Sequence, residues 1–375
     1  MSPAVRDLVS PLQAQVSGWR AGLCLAGLVA AGAVVAQGSR PAVDPHAPTA
    51  ATATSSSNPA AQARAWFVRM QAAAAKSNFQ GSLVVSSGGA VSSSRVTHYA
   101  LDGHVYEMLE ALDGRAHRVL RHDDLVHMVW PQTQVAVIEK RTTLGAWSTT
   151  PQAVDVFALE NYELRLDGVA RVAGRDAVVL WSQPRDGLRY AQRFWADRES
   201  GLMLRADVLA QLQTQPQTQA QPQPDAPWQV LESTAFSSLD QGLPARPQAV
   251  LQAMQPPAAY RVVRPQQQVT TLEAQGFTLL RPVPGFRLAG SVLRGMENAG
   301  KRDPVLHAVF TDGLVLVSLF VETYDETVHR GEAHNQQGAT SSLSQRRGEN
   351  WLTVVAAAPL ATLRLFAAAL DKRSP

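Results

Sequence analysis

Residues 94–111 read SRVTHYALDGHVYEMLEA, two short runs able to form strands, Ser94–Leu101 and His104–Ala111, around Asp102-Gly103. Asp-Gly accepts the positive φ that a tight two-residue hairpin turn requires at both central positions, so the stretch reads as an antiparallel hairpin. The dipeptide recurs at 113–114, 167–168, 186–187 and 312–313, which argues for antiparallel meanders through much of the chain. Working outward, further strand runs stand at 82–86, 116–122, 125–130, 135–140, 162–167, 177–182, 188–197, 202–209 and 229–239. Helical patterns interrupt them at Ala60–Lys76, where Ala63, Trp66, Phe67, Met70 and Ala74 form one apolar stripe, and at Pro151–Leu159. No βαβα order occurs, which disfavours a doubly wound parallel sheet. The expected class is α+β, mostly antiparallel β.

The chain's 375 residues, 45% hydrophobic and 17% charged, can bury a real core and suggest two domains. The first spans 60–240. Within it, 211–227 (QLQTQPQTQAQPQPDAP) has no core-forming side chain beyond Leu212 and is expected as a disordered hairpin tip. Five prolines among 241–271 (Pro244, Pro247, Pro256, Pro257, Pro265) fit an interdomain linker rather than any core element. The second domain, 272–375, centres on Val305–Thr311, Asp312-Gly313 and Leu314–Glu322, whose strands are apolar on both faces and so require two covers. Leu363, Phe366, Ala367 and Leu370, after Pro359 at a helix start, supply one cover.

Residues 21–36, AGLCLAGLVAAGAVVA, form an uncharged apolar run preceded by Arg6 and Arg20. The run falls short of the roughly twenty apolar residues of a membrane span and ends in small residues, so 1–36 is expected to be a secretory signal peptide cleaved after Ala36. Cys24 would leave with it, and the exported chain would carry no thiol. Residues 37–59, rich in Ala, Thr, Ser and Pro, are expected as a disordered tether.

Lys and Arg number 34 against 31 Asp and Glu, a formal +3 that excludes wholesale nucleic-acid neutralisation. The chain has neither a G-x-S-x-G elbow nor a Walker or Rossmann glycine pattern opening a helix, so an enzyme is not expected. His117, His122, Asp123, Asp124 and His127 are metal-capable, but their spacing matches no zinc pattern; a polar turn is the plain reading, with no metal and no cofactor. What remains is an aromatic surplus on the meander: Phe79, Tyr99, Tyr106, Trp130, Tyr190, Phe194 and Trp195. Both faces of 189–196 carry aromatics and need two covers; helix 60–76 is one, a cavity for an acyl chain or a partner's side chain is the candidate for the other, and core packing is the plain reading of any single one of these aromatics. Phe79, Tyr99, Tyr106, Trp130, Tyr190 and Phe194 are the candidate lipid-binding residues.

Several motifs together resemble the RseB/MucB family of periplasmic sigma-E regulators. In the first domain they are Asn78-Phe79-Gln80-Gly81, Val135–Arg141, Tyr162–Arg165, Val172–Ala177, Arg193–Asp197 and Ser200–Leu202; in the second, Pro284-Gly285-Phe286, His307–Leu314, Val317–Glu322, Leu352–Val355 and Pro359–Thr362. The resemblance covers about 62–371. It implies an open, lipoprotein-carrier-like half-barrel, a smaller mixed α/β C-terminal domain and no catalysis. It also implies a periplasmic protein that binds the periplasmic segment of a membrane-anchored anti-sigma factor, shields it from proteolysis and is relieved by lipid or lipopolysaccharide fragments. The alternative is a periplasmic lipid or lipoprotein carrier built on the same half-barrel, for which the second domain has no evident use.

Overall fold

The structure, a computed structural model, describes residues 58–140, 160–211, 227–295, 304–329 and 331–372. The expected signal peptide with Cys24, all but the end of the tether, the helix at 151–159 and nearly all of the 211–227 tip lie outside the described residues.

Helix α1 (Pro59–Lys76) starts where Asn58 Oδ1 accepts the Ala60 N–H at 3.0 Å and Pro59 takes the first turn. Its buried residues Ala63, Phe67, Met70, Ala73 and Ala74 make the expected stripe, with Trp66 at the margin. There follow β1 (Phe79–Ser87), β2 (Ala90–Leu101), β3 (His104–Ala111), β4 (Arg118–His122), β5 (Leu125–Trp130), β6 (Val135–Lys140), β7 (Tyr162–Val172), β8 (Arg175–Pro184), β9 (Ala191–Asp197), β10 (Met203–Gln211) and β11 (Trp228–Gln241). Asp102 and Gly103 turn the opening hairpin with φ of +53° and +83°. Asp167-Gly168, by contrast, is not a turn: it lies at an irregularity between Leu166 and Val169, and β7 continues to a turn at Ala173-Gly174.

Residues 241–271 correct the sequence reading of a linker without core elements. They carry α2 (Pro247–Ala253), β12 (Arg261–Val263) and β13 (Gln266–Thr270). Val250 and Met254, one helical turn apart, are buried against Leu120, Val129 and Ala136, and β12 pairs in parallel with β6. The prolines bracket these short elements instead of preventing them. The first sheet therefore has the order β12-β6-β5-β4-β3-β2-β1-β11-β10-β9-β8-β7, an open half-barrel with unjoined ends.

The second domain adds β14 (Phe277–Leu279), β15 (Arg287–Gly295), β16 (Val305–Thr311), β17 (Leu316–Thr323), β18 (Ala333–Gln337), β19 (Thr340–Arg347), β20 (Asn350–Ala356), α3 (Leu360–Ala369) and β21 (Leu370–Lys372). Its main sheet runs β13-β15-β16-β17-β20-β19-β18, and β14 pairs with β21. Leu363, Phe366 and Ala367 of α3 are buried on it as the stripe predicts. Phe67 of α1, Phe194 of β9, Phe310 of β16 and Phe366 of α3 belong to one continuous apolar core, so the two sheets are packed together through their hydrophobic interiors.

Candidate functional site

At the junction of the domains, Arg189, just before β9, is fully buried. Its Nε donates to Asp312 Oδ2, its Nη1 to Asp186 Oδ2, and its Nη2 to the Pro284 carbonyl at 2.9 Å, while the Phe286 ring lies 4.5 Å from the guanidinium. Tyr162 Oη donates to Asp312 at 2.8 Å, and Asp312 Oδ1 accepts the N–H groups of Leu314 and Val315. Burial works against the Arg189 charge, but Asp312, Tyr162 and Asp186 outweigh it and hold its pKa above the ordinary value. Burial, then the Asp312 charge, raise the Tyr162 phenol well above 10.0 and keep it protonated. The Pro284-Gly285-Phe286 motif is thus wrapped about Arg189. Thr362 Oγ1, donating to the Leu188 carbonyl at 2.6 Å, adds a second tie between the domains.

Paired residues in adjacent antiparallel strands share a face. The register Phe79–His98–Glu107–Arg121–Val126–Glu139 therefore crosses β1 to β6 on one face, and Val85–Thr234–Ala206–Phe194–Leu180–Leu166 continues that face from β1 to β7. Helix α1 packs here, Phe67 meeting Phe194 edge-on at 5.1 Å. The first row has a buried polar centre: Arg121 Nη1 donates to Glu107 Oε2 at 3.1 Å, and His98 lies between Phe79, stacked at 4.9 Å, and Glu107, 3.6 Å away. At its far end Glu139 faces Arg294 of the second domain at 3.6 Å.

The candidate lipid-binding residues do not converge. Phe79, Phe194 and Trp130 are on the α1 face, whereas Tyr99 and Tyr106 are on the opposite face with α2, one residue out of phase with His98. Phe194 is covered by protein rather than by an open cavity, and Tyr190 is buried at the junction, its hydroxyl 3.3 Å from Gln336. Trp195 lies on the other face of β9 in a ladder of rings and guanidinium groups. Arg193 sits 4.6 Å from Trp181 and 6.0 Å from Trp195, Arg165 lies 5.4 Å from Trp181, and Arg205 lies 4.4 Å from Trp195. A cleft of about 440 Å³ opens elsewhere, between the edge strand β18, β19 and α3, lined by His334, Arg347 and Arg364 among others. The histidine cluster also divides, for His127 is buried beside α2 and His117 is exposed, while His122 and Asp123 are joined by His104.

Sequence reading noted Asp186 as a turn residue but passed over Arg189 as its partner and the Tyr162–Asp312 contact. Asp312 was legible as a turn residue, but a partner 123 residues away leaves no local pattern.

The MucB/RseB N-terminal domain matches residues 62–221 and the MucB/RseB C-terminal domain matches 271–371. The chain belongs to the MucB/RseB family. It is 31% identical over 310 residues to the sigma factor AlgU regulatory protein MucB of Pseudomonas aeruginosa, covering 81% of this chain and 89% of that protein. It is 25% identical over 293 residues to the sigma-E factor regulatory protein RseB of Haemophilus influenzae, covering 76% and 84%. The solved complex of Pseudomonas aeruginosa MucA and MucB superposes with a TM-score of 0.60 at 28% identity, over 84% of this chain and all of that one. In this chain the junction around Arg189 joins the two regions that the family models match separately. No helix among the described residues is long and apolar enough to cross a membrane.

Proposed function

We propose that this family member is a periplasmic negative regulator of the envelope stress response. It binds the periplasmic segment of a membrane-anchored anti-sigma factor, shields it from proteolysis, and lets go when lipid or lipopolysaccharide fragments bind the first domain. The observation that carries the reading is the match of both domains to a family that includes MucB, a protein solved in complex with MucA. The role is binding, without catalysis. The shared core favours a regulator over a simple carrier, because a second domain packed into the same interior as α1 can transmit what happens in the half-barrel.

On this reading the lipid site lies on the face that carries Phe79 and Trp130, where Phe79 stacks on His98 next to the paired Glu107 and Arg121, an arrangement suited to an apolar chain with a charged head. A ligand shifts the complex only by its differential affinity for free and bound protein, and the effect is reciprocal. The test is to measure affinity for the cognate anti-sigma segment, and that segment's rate of cleavage, with and without saturating lipopolysaccharide fragments. Protection that the fragments relieve is expected; an affinity indifferent to them overturns the switch.

A further inference from the structure

The end of the sheet at the β4–β5 turn holds a cluster that the regulatory reading does not use. His104 opens β3, His122 closes β4, and Asp123 is the first turn residue, with φ of +53°. Tyr106 pairs with His122, so His104, two residues before Tyr106, lies on the same face. Asp123 is clamped to β3 twice: its N–H donates to the Val105 carbonyl at 3.0 Å, and its Oδ1 accepts the Val105 N–H at 3.0 Å. That leaves Oδ2 facing the two imidazoles, 2.7 Å from His104 Nδ1 and 3.6 Å from His122 Nε2. His122 Nε2 is a buried atom without a hydrogen bond, and its ring is stacked on Tyr106 with centroids 4.5 Å apart. One donor atom from each of the three residues falls within 4.8 Å of the others.

We propose that His104 Nδ1, His122 Nε2 and Asp123 Oδ2 form a binding site for a divalent transition-metal ion of the zinc type, with solvent at the fourth position. Two imidazole nitrogens and one carboxylate oxygen suit such an ion, whereas calcium and magnesium ask for a shell of oxygens. A tetrahedral ion about 2.0–2.2 Å from each donor sets the donors roughly 3.3 Å apart. The 3.6 Å between His122 and Asp123 is near that; the His104–Asp123 hydrogen bond has to open by about half an ångström, and the two imidazole nitrogens, within 4.8 Å of each other, have to settle at the same spacing. His104 has room to move, its side chain being 53% exposed. The Val105 N–H orients the carboxylate from behind, as outer partners of metal ligands do. The ion would take the place of the His104–Asp123 hydrogen bond, with the imidazole proton of His104 carried on Nε2. It would also tie the start of β3 to the β4–β5 turn.

The experiment titrates zinc chloride into the full chain carrying Cys24→Ser, so that this thiol takes no metal, after chelator treatment, with calorimetry and the melting temperature as readouts. One equivalent is expected to bind and to raise the melting temperature by mass action. His122→Ala and His104→Gln should each weaken binding by about tenfold or more, and the second variant retains a hydrogen-bonding side chain beside Asp123 and therefore the fold. His117→Ala, exposed and outside the cluster, should bind as the parent does. Absence of binding at micromolar zinc, or affinity unchanged in the folded His104→Gln variant, overturns the site and leaves a hydrogen-bonded turn.

Discussion

Arg189 at the domain junction and Arg165, Arg193 and Arg205 along β7–β10 have the same kinds of neighbour, carboxylates and aromatic rings, but very different access to water. Arg189 is sealed by Asp312, Asp186, the Pro284 carbonyl and the Phe286 face. The three ladder side chains are 51%, 33% and 37% exposed, and they pair with Asp167 and Asp207 while lying over Trp181 and Trp195. Contact geometry alone would rank the two regions together. Dehydration separates them: a sealed charge that loses its partner stays buried and uncompensated, whereas an exposed one returns to water.

The strongest challenge to that contrast is Asp312→Ala. It leaves the sealed Arg189 with the partly exposed Asp186 as its remaining carboxylate, takes the acceptor from the buried Tyr162 hydroxyl, and should cost about 3–5 kcal/mol in denaturant unfolding. Adding Arg189→Met should recover much of the loss, since the pair is then replaced by an apolar side chain. A loss below about 1 kcal/mol would mean that the junction is hydrated in solution. Next comes Gly285→Ala. The added Cβ would fall on Arg189 Nη2 and Asn161 Oδ1 at a φ of +72°, so it disturbs the same pair without removing a charge. The expected cost is about 1–3 kcal/mol; a neutral result would show that the Pro284-Gly285-Phe286 loop can withdraw from Arg189.

The contrast also explains what the sequence could disclose. Strand runs and tight turns are local, so His104–Ala111, Leu125–Trp130 and Val135–Lys140 are found as read. Helix α2 escaped because proline density hid the Val250–Met254 spacing, and Asp167-Gly168 misled because a bulge and a turn ask for the same backbone freedom. The family was legible from motifs in both domains, whereas the latch was not: Arg189, Asp312 and Pro284 meet only once both domains are folded. The six aromatics were read as one set, but register assigns Tyr99 and Phe79 to opposite faces, and a one-residue offset has no signature in composition.

His127 sharpens the comparison as a buried basic group without a carboxylate. Burial beside α2, helped by the Arg264 charge and opposed by the Met254 backbone, lowers its pKa below 6.5. Its folded pKa is below its unfolded one, so its contribution is fully present above pH 6.5 and is lost as the pH falls through the folded value. The parent should therefore lose more stability than His127→Leu between pH 7 and pH 5, roughly the range in which histidine titrates, a smaller effect than the loss of Asp312. Parallel pH profiles of the two proteins would show instead that protonated His127 finds compensation.

The smallest effect is expected at the outer end of the ladder. Arg165 is half exposed, 3.4 Å from Asp167 and 5.4 Å from the Trp181 ring, which it partly covers. In Arg165→Ala the carboxylate keeps Arg193 at 3.2 Å and Trp181 keeps Arg193 at 4.6 Å, so neither partner is stranded. Unfolding free energy should fall by about 0.5 kcal/mol, and raising the salt concentration should shrink the difference as the surface charges are screened. A salt-independent loss above about 2 kcal/mol would place Arg165 in a dehydrated setting like that of Arg189 and end the distinction between the two regions. Arg165→Ala with its cost confined to low salt, beside Asp312→Ala with a cost that salt does not touch, would establish that burial, not the inventory of contacts, decides what each arginine contributes.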